Sequence, residues 1–228
     1  VTGDEKSPPF KVGVAIADVF TALYTVIAII SAIHNRDKTG RGTMIDNSLY
    51  ECMTSALVNV ANNYLIGEMI PKRYGNAHPN IVPYQAFKTK DIYIIVGIGN
   101  DRQFRVFSKM LGHPEWADDK KFQTNAQRVK HRKELIPLIE KEILKKKGEF
   151  WIKKLLDAGI PAGPINTMDK TFADEQLRER GFVETVKHPF DPKMKLMKNP
   201  IKFNNMDTSI YRHPPLLGEH TKEILKEI

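Results

Sequence analysis

The sequence is poor in the residues that build disulfides and metal centres. Cys52 is the single cysteine among 228 residues, which excludes an internal disulfide and fits a reducing compartment. We therefore expect a cytoplasmic protein, or a mitochondrial-matrix protein in a eukaryote. Cys52 lies in an apolar helical pattern and is predicted to be a small core residue rather than a catalytic thiol. The seven histidines are dispersed without metal-ligand spacing, so we expect no metal.

Several motifs of nucleotide and nucleic-acid binding are also missing. There is no P-loop, no GxGxxG turn, no zinc-finger spacing and no RNA-binding aromatic signature. The net charge of +8 favours acidic partners, but the positive residues are scattered, so we expect small anions rather than nucleic acid. The chain also lacks an initiator methionine and a signal peptide, and we expect it to come from the middle of a longer protein.

The dominant feature that is present is an apolar run at positions 11–33. Past Lys11 it holds one charged residue, Asp18, and its apolar residues fall on every side of a helix. This pattern predicts a buried helix, which would hold Asp18 rigidly as a nucleophile or general base. Two alternatives stay open: Asp18 could cap a helix that starts at Val19, or the run could span a membrane. Internal polar residues and the lack of a second comparable segment disfavour the membrane span.

Local signals predict the other elements and a two-part α/β chain. In chain order they are a strand at 43–45, a helix from the capping box at Ser48 to Ile66, a hairpin of strands 84–88 and 92–97, a helix capped by Asn100 or Asp101 through Leu111, helical segments at 128–147 and 150–156, an extended loop at 160–165, a helix with breaks from Thr167 to Arg180, strands at 182–187 and 195–197, and a terminal helix. The polar stretch 71–83, punctuated by proline and glycine, is predicted to be a linker that doubles as a binding loop.

Six local stretches, taken together and in this order, resemble a known family. They are Val12-Gly13-Val14-Ala15-Ile16-Ala17-Asp18, Lys38-Thr39-Gly40-Arg41-Gly42, Tyr74-Gly75-Asn76-Ala77-His78-Pro79, Pro83-Tyr84-Gln85-Ala86-Phe87, Gly159-Ile160-Pro161-Ala162-Gly163-Pro164 and Pro215-Leu216-Leu217-Gly218-Glu219-His220-Thr221. Each is weak alone, but the ordered set resembles the class III CoA-transferases, the CaiB/BaiF family. The resemblance implies an α/β protein with a Rossmann-like large domain, only partial here, and a smaller α+β domain. It assigns 1–70 to the large domain with the nucleophile helix, 71–166 to the small domain and 167–228 to a C-terminal return.

The resemblance also implies a chemistry. Asp18 matches the family's nucleophile, which forms an anhydride with an acyl-CoA and then an aspartyl-CoA thioester. The implied partners are an acyl-CoA, a small carboxylic acid and a second copy in an interlocked homodimer, with no membrane and no cofactor beyond the CoA thioester. Around the binding loop the chain looks most like succinyl-CoA:glutarate enzymes. The implied substrate-binding residues are Gly75, Asn76, His78 and Tyr84.

Other readings remain open at this stage. Lys72 and Arg73 are candidates to bind the far carboxylate of a dicarboxylic acid. An α-methylacyl-CoA racemase shares the fold, although Val19-Phe20-Thr21 stands where racemases favour glycines. A non-catalytic basic interaction module with a structural Asp18 is the second alternative. Family members carry a long N-terminal segment that this chain lacks, so we expect the chain to be inactive alone.

Overall fold

The computed structural model describes residues 1–227 and separates into two compact units, Val1–Ile165 and Asn166–Ile228. Ile228, the last residue of the predicted C-terminal part, lies outside the described residues. The division into 1–70, 71–166 and 167–228 stays a prediction. The first unit contains helices α1 (Ile16–Thr39), α2 (Leu49–Ser55), α3 (Val58–Leu65), α4 (Asp101–Leu111), α5 (Asn125–Lys130), α6 (Arg132–Ile143) and α7 (Gly148–Asp157), and strands β1 (Tyr84–Lys88), β2 (Tyr93–Gly97) and β3 (Ala162–Pro164).

The core of the first unit forms around a three-stranded antiparallel sheet of order β1-β2-β3. The hairpin register pairs Tyr84 with Gly97 and Lys88 with Tyr93, which confirms the predicted hairpin. Ile94 and Val96 on β2 are fully buried, as expected for alternate residues of a strand with one face on a core. Helices α4, α6 and α7 supply the remaining buried apolar residues, which include Phe104, Phe107, Leu135, Ile139, Ile143, Trp151 and Leu155.

Helix boundaries in this core follow the caps that the sequence predicts. The Asn100 side chain accepts a hydrogen bond from the Gln103 N–H at the start of α4, and Gly112 ends the helix with φ of 89°. The predicted helical stretch at 128–147 is divided into α5 and α6, and Pro137 lies inside α6. The predicted extended loop at 160–165 contains β3, which pairs with β2.

Helix α1 contradicts the prediction of a buried helix. It contains no buried residue, although it has the predicted length and apolar character. It packs mainly against the short helix α2, and Asn47 joins it by donating to Thr25 Oγ1 at 2.7 Å. One seven-residue helix covers only one side of a 24-residue helix, so the apolar residues on the other sides stay exposed within this chain.

Two further predictions near α1 are wrong. Residues 43–45 form no strand, and residues 41–48 have no regular secondary structure. The predicted helix from Ser48 to Ile66 is divided into α2 and α3, because Val58 has a positive φ of 42° that interrupts the helical backbone. Its start is confirmed, since the Ser48 side chain accepts a hydrogen bond from the Glu51 N–H. Cys52 is buried as predicted.

By length and composition α1 is able to cross a membrane. Its apolar window has a mean hydropathy of 2.1, and none of that window is buried. The core helices of soluble proteins meet the same criterion of length and hydropathy, so this finding does not decide between a membrane and a protein environment.

The second unit is built on a two-stranded antiparallel hairpin of β4 (Val183–His188) and β5 (Asp191–Met197). The short helices α8 (Met168–Phe172) and α9 (Glu175–Glu179) precede it, and α10 (Thr221–Ile224) follows. The predicted strands at 182–187 and 195–197 correspond to β4 and β5. The His213 imidazole lies 3.1 Å from the Glu219 carboxylate, which itself accepts from the Leu216 N–H at 2.8 Å. These bonds hold the Pro215–Thr221 motif in a tight turn.

Candidate functional site

The four predicted binding residues lie in one loop and the strand that follows it. Gly75 has a φ of 63°, a conformation that favours glycine. The Asn76 side chain accepts a hydrogen bond from the Ala86 N–H at 2.8 Å, which fixes the loop to β1. The His78 N–H donates to the Tyr84 carbonyl at 2.9 Å, and the two rings stack with centroids 5.5 Å apart. The structure therefore brings Gly75, Asn76, His78 and Tyr84 together.

The Tyr84 ring is placed by the opposite strand. Gly97, its partner in the hairpin, has no side chain, and a Cβ there would lie 3.4 Å from the Tyr84 ring carbons. A larger residue at 97 would press on the ring that stacks with His78. The choice of glycine in β2 thus contributes to the geometry of the loop.

Two cavities of about 590 Å³ border this loop. The first has a mainly apolar wall that includes Val60, Met69, Ile70 and Val129. The second is more polar, and its wall includes Gly75, Asn76, Tyr74, Gln85, Lys88 and Lys141. Both volumes fall in the range of small-molecule sites. The wall also includes one carboxylate, Glu140, so that the two lysines leave it with a net positive charge, which suits an anionic ligand.

Side chains from α5 and α6 hold the loop through its backbone. The Asn125 amide donates to the Asn80 carbonyl at 2.8 Å and accepts from the Val82 N–H at 3.1 Å. Arg128 donates through Nε to the Val82 carbonyl at 2.7 Å. Arg132 donates through Nη2 to the carbonyls of both His78 and Pro79, at 3.0 and 2.7 Å. These three side chains therefore determine the path of residues 78–82.

Arg128 is a fully buried charge with a complete set of partners. Its Nη1 donates to the Phe122 carbonyl at 2.9 Å, and its Nη2 donates to Asp101 at 2.8 Å. The guanidinium also lies 4.3 Å from the centroid of the Phe104 ring. Burial lowers the pKa of Arg128, and the ion pair with Asp101 opposes that shift. The arginine thereby links the start of α4 to the loop.

Sequence reasoning missed Asn125, Arg128 and Arg132 because a helix rich in basic residues is usually a solvated face. The four-residue spacing of Arg128 and Arg132 predicts one turn of separation on a continuous helix, whereas in the structure they lie on separate helices, α5 and α6. Spacing does not reveal that both side chains bind the backbone of a loop that lies 46 to 54 residues earlier in the chain.

Lys72 and Arg73, the predicted cations for a dicarboxylic acid, have other partners in the structure. Arg73 donates to the carbonyls of Asp4 and Ser7 at 3.1 and 2.8 Å. Lys72 lies 3.8 Å from the exposed carboxylate of Glu5. Both side chains thus attach the N-terminal segment to the loop.

Asp18 occupies the first turn of α1, and its side chain is exposed. The helix begins at Ile16 after Ala15, so the alternative in which Asp18 caps a helix starting at Val19 is wrong. Within the described residues its carboxylate makes no ion pair and no side-chain hydrogen bond, and Asp18 lines neither cavity beside Gly75. Its position near the helix N-terminus is favourable for a negative charge. The structure therefore shows an available carboxylate, and its role stays a prediction.

The described residues contain no group of three or more histidine, cysteine, aspartate or glutamate side chains placed to hold a metal ion. The candidate site thus consists of the loop 74–84, its two cavities and, separately, the exposed carboxylate of Asp18.

Comparison with known proteins identifies the class. The sequence profile of CoA-transferase family III matches residues 1–221, so the chain belongs to that family. A crystal structure of a CaiB/BaiF family protein from Brucella suis is 42% identical, with a TM-score of 0.78. The match covers all of this chain and 59% of the Brucella chain, which confirms the mixed α/β fold of this family for the part present here.

Two curated relatives have names that state their substrates. The human protein named succinyl-CoA:glutarate CoA-transferase is 42% identical over all 228 residues, which span 52% of its length. Succinate–glutarate CoA-transferase of Agrobacterium fabrum is 38% identical, and the chain covers 57% of it. The chain thus spans about half the length of the curated relatives it matches.

Proposed function

We propose that this protein transfers coenzyme A from an acyl-CoA, succinyl-CoA or a close analogue, to a dicarboxylic acid. The observation that carries the proposal is the match of the whole chain, at 42 and 38% identity, to relatives named for succinate and glutarate. Membership of CoA-transferase family III supports the reaction class. The lysines on the wall of the polar cavity beside Gly75 and Asn76 support an anionic substrate.

Asp18 is the proposed nucleophile. Its carboxylate oxygen attacks the thioester carbonyl carbon, the C–S bond breaks, and CoA leaves as the thiolate with a mixed anhydride on Asp18. The thiolate then attacks the aspartyl carbonyl, which releases the donor carboxylate and leaves an aspartyl-CoA thioester. The acceptor carboxylate then attacks the aspartyl carbonyl of this thioester, the C–S bond breaks, and a second mixed anhydride forms as CoA thiolate leaves. The thiolate finally attacks the acceptor acyl carbon of this anhydride, which gives the new acyl-CoA and restores the Asp18 carboxylate. The exposed, unpaired state of this carboxylate supports the assignment.

Such intermediates need protection from water. Because α1 is exposed in this chain, the proposal requires that further polypeptide covers Asp18 in the active enzyme. We propose that a second copy contributes to this cover, as the family resemblance implies, and that the enzyme works without a cofactor beyond the CoA thioester. A cytoplasmic or matrix location supplies a reducing environment in which Cys52 stays a thiol.

Intact-protein mass spectrometry tests the proposal. The complete gene product that contains these residues is incubated with succinyl-CoA and quenched with hydroxylamine or borohydride. A modification mapped to Asp18 is expected, and Asp18→Asn is expected to lower CoA transfer by about 10³-fold or more. Asp37→Asn changes another exposed aspartate of the same helix, one that pairs with Arg36, and as the control it should keep its activity.

Other outcomes identify the alternatives. An unmodified Asp18 together with exchange of the α-proton of an acyl-CoA in D₂O would favour racemase chemistry on this fold. A folded protein that binds no CoA would contradict the enzymatic proposal and favour a non-catalytic interaction module.

A further inference from the structure

The imidazole of His78 is held in one protonation form by its own loop. The Asn80 N–H donates to His78 Nδ1 at 3.0 Å. A ring nitrogen that accepts a hydrogen bond carries no proton, so the neutral ring has its proton on Nε2. The bond joins residues two apart in the chain, and the Asn125 amide fixes the neighbouring Asn80 carbonyl. The geometry therefore selects the Nε2–H tautomer.

The surroundings of the ring oppose a second proton. The guanidinium of Arg132 donates to the His78 carbonyl at 3.0 Å, which brings its positive charge beside the imidazole. Burial lowers the pKa of His78, and the charge of Arg132 lowers it further. The Tyr84 phenol ring, from β1, stacks on the imidazole. Tyr84 and Arg132, from α6, are the ionisable groups found against His78 within residues 1–227. In the described part of the chain, residues 1–227, no carboxylate is found against the ring to stabilise an imidazolium.

The Nε2 atom is left free to act. Within the described residues His78 Nε2 has no hydrogen-bond partner, and the atom is not buried. The other side of the ring is occupied by the stacked Tyr84, and Nδ1 is occupied by Asn80. The ring thus presents a single N–H donor. His78 itself lines neither cavity, but it lies between Ala77, which lines both cavities, and Pro79, which lines the apolar one.

We propose that His78 donates its Nε2–H to a carbonyl or carboxylate oxygen of the substrate while neutral, and that Arg132 is the positioning residue that holds it in this form. The substrate part of this inference rests on the proposed CoA transfer. Arg132 is suited to the role because one guanidinium nitrogen bridges the carbonyls of His78 and Pro79 while the group lies 4.8 Å from the Tyr74 ring centroid.

The ring state is tested without substrate by ¹⁵N NMR of the histidines in the 228-residue chain. The expected spectrum of His78 is that of the Nε2–H tautomer, with a titration midpoint below the ordinary value of about 6.5. Arg132→Gln should raise that midpoint, while Arg132→Lys, which keeps the charge, should leave it low. Arg105→Gln removes an exposed arginine paired with Asp118 and is the matched control with no expected shift.

Two results would overturn the ring assignment. One is a proton on Nδ1 in the unmodified chain, which needs no variant to fold. The other is a His78 midpoint that Arg132→Gln leaves unchanged in a protein with an otherwise native spectrum.

The substrate contact is tested in the complete gene product by steady-state kinetics. A glutamine amide can place an N–H near the position of Nε2, whereas asparagine is too short. His78→Asn is therefore expected to lower kcat/KM for the acceptor by about 10- to 100-fold, and His78→Gln by less. Equal activity of His78→Asn and wild type would overturn the contact. Absence of CoA transfer in the wild type would refute the proposed function and the contact with it, while the NMR result on the ring would stand.

Discussion

The stretch from Val82 to Ile160 and the helices from Ile16 to Leu65 differ in what their apolar residues contact. In the first, Ile94, Ile98 and Phe104 are completely removed from solvent. In the second, α1 has no buried residue, although it is the more hydrophobic. Composition therefore does not decide burial within this chain.

The pattern of the helices explains the difference. Helix α4 is amphipathic and turns Phe104, Phe107 and Leu111 into the core, so one partner surface is enough to bury them. Helix α1 is apolar on every side and needs cover on every side, which the short helix α2 does not provide. We infer that residues 82–160 form a core of their own, and that α1 requires contact with further polypeptide to bury its apolar residues.

Removing Arg128 tests how far the 82–160 core depends on the contact of its buried guanidinium with the loop. Arg128→Met keeps much of the volume but leaves the carbonyls of Val82 and Phe122 without donors. The Asp101 carboxylate is half exposed and can be solvated when its partner is removed, so the cost comes mainly from the two carbonyls. We expect a loss of about 2–4 kcal/mol in the free energy of unfolding, since each unsatisfied buried polar group costs about 1–3 kcal/mol. Urea denaturation followed by the fluorescence of Trp116 and Trp151, both in this core, measures it.

Arg105→Met is the control for Arg128→Met. Arg105 forms an exposed pair with Asp118 at 2.9 Å, and removing it is expected to cost less than about 1 kcal/mol. Equal losses for the two variants would contradict the view that the buried guanidinium holds the core to the loop.

A smaller disturbance of the same core comes from Gly148, the first residue of α7. A Cβ at this position would lie 2.5 Å from Ile92 Cγ1 and 3.2 Å from Ile94 Cγ2. Gly148→Ala is therefore expected to destabilise the chain by about 1–3 kcal/mol through overpacking, measured by the same denaturation. Ile92→Ala should recover part of the loss in the double variant, and independent effects of the two changes would refute the contact.

The residues at the turn of the β1–β2 hairpin, Asp91 and Ile92, both contact Gly148. In the structure the Ile92 side chain occupies the space beside Gly148, while Asp91 accepts a hydrogen bond from the Gly148 N–H at 2.8 Å. The hairpin turn thus caps α7, a contact between residues 57 positions apart that local patterns do not reveal.

The sequence predicted those parts of the fold that local signals determine. The cap at Asn100, the stop at Gly112 and the β1–β2 hairpin depend on neighbouring residues, and all three are confirmed. The clustering of Gly75, Asn76, His78 and Tyr84 followed from the family resemblance. Arg128 and Arg132 were missed because their partners are carbonyls distant in the chain, and the exposure of α1 was missed because it depends on which polypeptide is present to cover it.

The smallest expected effect is the most informative about α1. Ile27 on α1 is 60% exposed, so Ile27→Lys in the 228-residue chain should change the stability of the 82–160 core by less than about 0.5 kcal/mol. Ile139→Lys, at a fully buried position of α6, is the control that should prevent folding. If further polypeptide covers α1 in the complete gene product, Ile27→Lys there must bury a charge and should lower both its melting temperature and its CoA transfer. Tolerance in both contexts would show that α1 stays exposed and would remove the cover that the proposed anhydride chemistry needs.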